Sequence, residues 1–288
     1  MSSRDDRRHI AVLPLPDVLS SGLAAALAVF FLLISLPNAR AQDLAVDVEL
    51  VLAVDVSWSM DYEEQRVQRE GYASAFRHPD VIDAIRHGGW GRIAVTYLEW
   101  AGSVFQEVVV PWTIVEDAGS AEKFAASLSS GPIGRLRRTS ISEALTYVSG
   151  LFDGNGVAGL RRVIDVSGDG PNNEGRPVLE ARANVLEKGI IINGLPILIG
   201  HPGSFSFFDI NDLDVYYEDC VIGGFGSFIV PVTAVDQFAA AIRRKLVLEI
   251  AGAVPAVVPA QTRTAEPRIN CLIGEMIWQQ RRRYFNDP

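Results

Sequence analysis

Apolar positions follow two rhythms along this chain. Val48 to Val54, Val-Glu-Leu-Val-Leu-Ala-Val, is an almost unbroken apolar run that stops abruptly at Asp55. That is the pattern of a strand covered on both faces in a parallel sheet. Residues 162–167 and 190–199 have the same character, and Gly226 to Val232 reads as a last strand. Residues 92–100 and 104–112 are β-rich runs on either side of Ala101-Gly102-Ser103, a hairpin signal that places one antiparallel strand at the sheet edge. Elsewhere the period is helical. Asp61 and Glu64 have capping-box spacing ahead of Tyr72, Ala75 and Phe76. His78-Pro79 ends that helix, and Val81, Ile82 and Ile85 form a short second one. Further helices are predicted over 118–129, over Ser140 to Phe152 with Ile141, Ala144, Leu145 and Val148 on one stripe, and over Pro177 to Lys188, closed by Gly189. The last runs over Ala234 to Ile250, with Val235, Phe238, Ala239, Ile242 and Leu246 at helical spacing. Strands alternating with helices predict an α/β fold: a doubly wound, mostly parallel sheet with one antiparallel edge strand and helices on both faces.

The first 41 residues stand outside this pattern. Arg4, Arg7 and Arg8 precede an apolar run from Leu23 to Leu36, followed by Pro37 and the triplet Ala39-Arg40-Ala41. That order reads as a secretory signal peptide cleaved after Ala41, with an uncleaved anchor as the alternative. The run is short for a membrane span, which needs about 20 apolar residues. The expected location is therefore periplasmic or secreted. The domain is expected over 42–251. Residues 252–267, rich in Pro, Ala and Val, read as a linker, and 268–288 as a tail too short to fold alone.

Charge narrows the class of partner. The chain carries 26 basic and 35 acidic side chains, and removing 1–41 leaves 22 against 32, a net charge of −10. Such a surface repels nucleic acid and offers no polybasic membrane patch; membrane contact is expected only if the leader stays attached. Cys220 and Cys271 are the two cysteines. In an oxidising compartment pairing is the default, with two buried free thiols as the alternative. A Cys220–Cys271 bond would fold the tail back onto the domain.

Three polar clusters fall where strands end or helices begin: Asp55-x-Ser57-x-Ser59, Thr139, and Gly168-Asp169-Gly170. All belong to one edge of an α/β sheet, where ligands bind at the point of reversed strand order. Three hydroxyls and two carboxylates supply oxygen alone, which suits a hard divalent cation such as Mg²⁺. No thiolate is at hand, and His9, His78, His87 and His201 are scattered, which disfavours zinc. Asp169 between two glycines also has the composition of an ordinary turn. Trp58 lies inside the first cluster, either facing a partner or packing on the first helix. Asn172 and Asn173 follow the third and are, with Trp58, candidates to meet a partner, either orienting bound waters or forming only a polar turn.

Together, Asp55-Val56-Ser57-Trp58-Ser59, Thr139 in Arg-Thr-Ser-Ile and Asp169 in Ser-Gly-Asp-Gly resemble the metal-ion-dependent adhesion site of von Willebrand factor A domains. The likeness spans residues 47–251 and implies the Rossmann-like sheet of that family. It also implies that Ser57 and Ser59 bind the metal directly, Thr139 directly or through water, and Asp55 and Asp169 mainly through water. The sixth position is then left for a carboxylate of a protein partner. The ion would be Mg²⁺, or Mn²⁺ or Ca²⁺. The chain departs from the family at Gly168, where threonine is frequent; the expected consequence is a change in backbone freedom. The segments Cys220-Val-Ile-Gly-Gly and Cys271-Leu-Ile-Gly-Glu are similar to those of uncharacterised bacterial exported proteins with this domain.

The reading is a binding module and not an enzyme. An aspartyl phosphatase needs Asp-x-Asp, and position 57 is serine; the Gly-x-Ser-x-Gly elbow of serine hydrolases is absent. No histidine is placed near Ser57 or Ser59 to build a triad. A metal-dependent hydrolase and an envelope scaffold without metal-dependent binding remain the alternatives.

Overall fold

The computed structural model describes residues 42–60, 62–131, 133–199, 210–252 and 266–286. The expected signal peptide, Asp61 of the expected capping box and most of the expected linker lie outside the described residues. The sheet is built from β1 (Leu44–Asp55), β2 (Ile93–Trp100), β3 (Gln106–Val115), β4 (Val157–Gly168) and β5 (Ile191–Pro196), in the order β3-β2-β1-β4-β5. β1 pairs parallel with β2 and β4, and β4 parallel with β5, while β3 is antiparallel on the β2 edge. This is the predicted architecture. The chain leaves β1 first toward β2 and later returns to β4 on its other side, so the reversal of strand order falls at the C-terminal ends of β1 and β4.

Helices α1 (Tyr62–Arg77), α2 (Pro79–Arg86), α3 (Ala118–Ser130) and α7 (Phe238–Ala251) cover one face. On the other lie α4 (Ile141–Gly150), α5 (Val178–Glu187), the short α6 (Leu213–Tyr216) and a π-helical turn, Tyr217–Val221. Strand alternation divides β1 between the two cores: Leu50, Leu52 and Val54 face the first, and Val51 and Ala53 the second. Local chemistry sets the boundaries. His78 caps α2 by accepting from the Asp80 N–H at 3.2 Å, with Pro79 in its first turn. Asp117 and Ser120 form a reciprocal capping box on α3. Gly189 (φ +70°) and Gly252 (φ +61°) take the left-handed conformation just past α5 and α7.

Three features differ from the sequence expectation. The segment 226–232 does not form a full strand. It runs beside β5 through separate bridges, Gly194 to Ile229 and Ile197 to Val232. Gly194 N–H donates to Phe228 O, Val230 N–H to Gly194 O and Val232 N–H to Pro196 O. The rung between them needs an N–H from Pro196, and proline has none. Second, the inward stripe of α7 is Phe238, Ile242, Lys245, Leu246, Glu249 and Ile250, while Val235 and Ala239 are exposed. Two charged residues thus sit where the apolar pattern predicts only hydrophobic ones. Third, 213–221 is helical, although its run of tyrosines and acids gave no helical period. The tail adds α8 (Ile273–Asn286), and Cys271 is bonded to Cys220 in the π turn, the expected pairing.

Candidate metal centre

Register brings the predicted oxygens together. Val54 stands opposite Ser167, so the next residues, Asp55 and Gly168, lie side by side and Asp169 follows. Asp55 is fully buried, and its Oδ1 accepts from the Ser57 N–H at 2.7 Å. Ser57 Oγ and Ser59 Oγ are 2.9 Å apart, and Ser59 Oγ donates to Asp169 Oδ1 at 2.6 Å. Four of the five predicted residues therefore form one chain of oxygens. Thr139, also buried, arrives on a loop stitched to both neighbours. Leu136 N–H donates to Val56 O, Thr139 N–H donates to Asn173 Oδ1 at 3.1 Å, and Asn173 N–H donates to Thr139 O at 2.9 Å.

Burial, and next the charge of Asp169, hold the Asp55 carboxyl well above the usual carboxylate range; bonds from Ser57 pull it back down. Asp55 Oδ2 is buried and has no hydrogen-bond partner among the described residues. Such an oxygen costs about 1–3 kcal/mol unless something satisfies it. Among the described residues no three of His, Cys, Asp and Glu cluster, so the donors here are hydroxyls and two carboxylates. That set fits a hard divalent cation, which would satisfy the orphaned oxygen and offset the repulsion between the acids.

Asn172 and Asn173 are not presented to a partner. Both are buried, and their amides hold the Thr139 loop: Asn172 Oδ1 accepts from the Ser142 N–H at 3.0 Å. Trp58, by contrast, is 51 % exposed on the metal loop. Four contributors were not anticipated from sequence. Gln65 Nε2 donates to Ser57 O and Gln68 Nε2 to Ser167 Oγ, bracing the loop from α1. Arg135 donates to Trp58 O and Met60 O, both at 3.1 Å. The fourth is Tyr217, fully buried, with its hydroxyl also unpartnered among the described residues.

Tyr217 explains Gly168. The φ of Gly168 is not positive, so backbone freedom is not the reason for glycine. A Cβ there would lie 2.9 Å from Asp55 Oδ2, 2.9 Å from the Tyr217 hydroxyl and 3.3 Å from Asp55 Cβ. The space of a side chain at 168 is taken by a phenol delivered from the π turn, three residues before the disulfide. Gly168→Thr should therefore destabilise the protein by about 1–3 kcal/mol through overpacking, and Tyr217→Phe in the same chain should recover part of the loss. Urea unfolding of the single and double variants checks this; a Gly168→Thr protein as stable as wild type would show that the space is open.

Comparison with known proteins gives the following. A search of the curated proteins finds no match. Among solved structures, similar folds include proximal thread matrix protein 1 from the mussel byssus, at TM-score 0.53 and 12% identity over 73% of this chain and 49% of that one. The pilus adhesin SpaC from Lactobacillus rhamnosus GG matches at TM-score 0.51 and 12% identity over 73% and 31%. A von Willebrand factor type A structure from Catenulispora acidiphila matches at TM-score 0.50 and 13% identity over 72% and 43%. A further structure of the mussel protein, at TM-score 0.50, 13% identity and 73% and 49% coverage, is described as having a zinc-occupied metal-ion-dependent adhesion site motif. The chain spans about half the length of the mussel protein or less of the others, and at these identities the likeness concerns the fold. The family described as "Protein of unknown function (DUF1194)" matches residues 45–254. With that match over most of the chain, and with a sheet and helix arrangement that has the fold of von Willebrand factor A domains, the protein belongs to the DUF1194 family.

Proposed function

We propose that this chain is an exported binding module that holds a divalent cation and uses it to engage a carboxylate of a protein partner. Ser57 and Ser59 would hold the ion directly and Thr139 would complete their side. Asp55 and Asp169 would fix its waters and balance its charge. The ion, Mg²⁺ with Mn²⁺ or Ca²⁺ as alternatives, supplies a positive centre at an open position. The observation that carries this reading is the chain of contacts Asp55–Ser57–Ser59–Asp169 with one buried Asp55 oxygen unsatisfied. The zinc-occupied motif of the mussel protein and the likeness to a Lactobacillus pilus adhesin support the same direction. Among the described residues no nucleophile with a poised base accompanies the site, and no hydrolytic activity is proposed. The test is calorimetric titration of the purified chain with MgCl₂ and MnCl₂. Uptake of neither ion, even with an acidic peptide present, would leave the scaffold reading in its place.

Export is part of this proposal, and with it removal of the leader. The mature chain should begin at Gln42 and carry the Cys220–Cys271 bond. Intact mass spectrometry of protein recovered from the exported fraction, with and without reductant, decides this. A mass that retains residues 1–41 would favour the anchored form.

A further inference from the structure

The rim of the site carries a cluster of positive charge on a chain that is acidic as a whole. Arg135, Arg137 and Arg138 lie within four residues, directly before Thr139. The Arg137 guanidinium stacks 4.5 Å from the ring centre of the half-exposed Trp58, with Arg135 at 5.5 Å. Arg138 has φ +81°, the left-handed region that a non-glycine residue rarely adopts. Such strain persists where the surroundings over-determine it. Here they do: the Thr139–Asn173 pair fixes one side, and Ser140 N–H donates to Ala101 O. The turn sends Arg138 away from Arg137 and onto Trp278 of the tail helix, 3.4 Å from its ring centre. Two arginines on tryptophan shelves thus diverge from one loop.

The tail is held for this. The disulfide anchors α8 at its start, and Asn172 Nδ2 donates to Glu275 Oε1 at 2.7 Å. Gly274 packs so closely on Asn172 that a Cβ would lie 2.0 Å from its carbonyl oxygen. Two acids close to this loop and the tail helix are already engaged: Glu275 by Asn172, and Glu174 by the Ser103 N–H at 2.7 Å. Arg135 is spent on backbone carbonyls, whereas Arg137 makes no ion pair among the described residues.

We infer that the partner is an acidic protein segment with carboxylates on both sides of the one that meets the cation, and that Arg137 and Arg138 receive the flanking carboxylates. This rests on the metal reading above. A guanidinium stacked on an indole keeps its N–H edge outward, in the fork that matches a carboxylate. The chain's net charge of −9 repels such a segment elsewhere, so attraction is focused at the rim. A polysaccharide of acidic sugars is disfavoured because a guanidinium already covers a face of each tryptophan that a sugar ring would stack on.

The experiment compares two capped synthetic peptides, Gly-Gly-Asp-Gly-Gly and Glu-Glu-Asp-Glu-Glu, by calorimetry in saturating MgCl₂. It uses the full mature chain and its Arg137→Gln/Arg138→Gln variant. The acid-rich peptide should bind wild type about tenfold tighter than the single-acid one, and that margin should shrink steeply with salt. The double variant should lose most of the margin, at about three- to fivefold per arginine. Its Mg²⁺ affinity should match wild type or exceed it, because two cations have left the neighbourhood. Equal binding of the two peptides by wild type, a margin that survives the double variant, or stronger binding of polygalacturonate than of either peptide would overturn the inference and leave the metal reading standing. Failure of wild type to bind Mg²⁺ at all would overturn both.

Discussion

Asp55→Asn should lower Mg²⁺ affinity by about 10–100-fold, the usual cost of losing a residue that orients a metal's ligands, while the metal-free protein becomes no less stable. The two effects have one cause. Asp55 is buried beside Asp169, and both burial and that neighbouring charge oppose its ionisation. Without a cation the second charge is a liability; with one it is the counter-charge. Asparagine keeps the Oδ1 that accepts from Ser57 N–H, so the loop retains its turn. Ser57→Ala removes a direct ligand without changing charge and should weaken binding no more than Asp55→Asn. Calorimetric titration beside urea unfolding of the metal-free proteins makes the measurement. An Asp55→Asn protein that binds Mg²⁺ like wild type would remove Asp55 from the site. One that unfolds more readily without metal would show that the carboxylate is structural.

Lys245→Met should destabilise the protein by about 3–5 kcal/mol, the cost of stranding a buried charge. Lys245 is 1% exposed and lies 2.5 Å from Asp165 Oδ1, and it also pairs with Glu249 one turn on. Asp165 is itself buried, and Lys245 is the cation paired with it among the described residues. Methionine preserves volume and removes only the charge. Adding Asp165→Leu and Glu249→Leu should recover most of the loss, because an apolar replacement of a whole buried cluster is close to neutral. The cluster also sets a pH dependence. Burial, and next the charge of Asp165, push the Glu249 carboxyl up to about 7. Its folded value lies above its unfolded one, so its contribution is fully present below the unfolded value, near 4.5, and is lost as pH rises toward 7. Glu249→Gln, which can still accept from Asn193 Nδ2, should flatten stability across that interval and stabilise the protein at pH 8. Urea unfolding at pH 5 and 8 reads both effects. A Lys245→Met protein as stable as wild type would mean that Asp165 is neutral in the native state.

Much of this protein is legible in its sequence because the information is local. Unbroken apolar runs mark strands covered on both faces, and β1, β4 and β5 follow. Ala101-Gly102-Ser103 announces the hairpin that makes β3 antiparallel, and His78-Pro79 divides α1 from α2. The oxygens of Asp55, Ser57, Ser59 and Asp169 are legible as a candidate site because strand ends of a doubly wound sheet share one edge; the register then brings those side chains into contact. What only the tertiary structure decides involves partners distant in the chain. Period alone puts Val235 and Ala239 inside α7; the fold instead buries Lys245 and Glu249, because Asp165 of β4 waits beneath that face. Gly168 reads as backbone freedom until Tyr217 is seen to occupy the space above it. Asn172 and Asn173 have the composition of a partner-facing turn, yet the Thr139 loop consumes them. The strand expected at 226–232 loses a rung to Pro196, a residue on the neighbouring strand. Apolar periodicity reports which residues leave water. It is silent on which buried polar group each one meets, because that meeting is fixed by register and packing between segments that have no common local pattern.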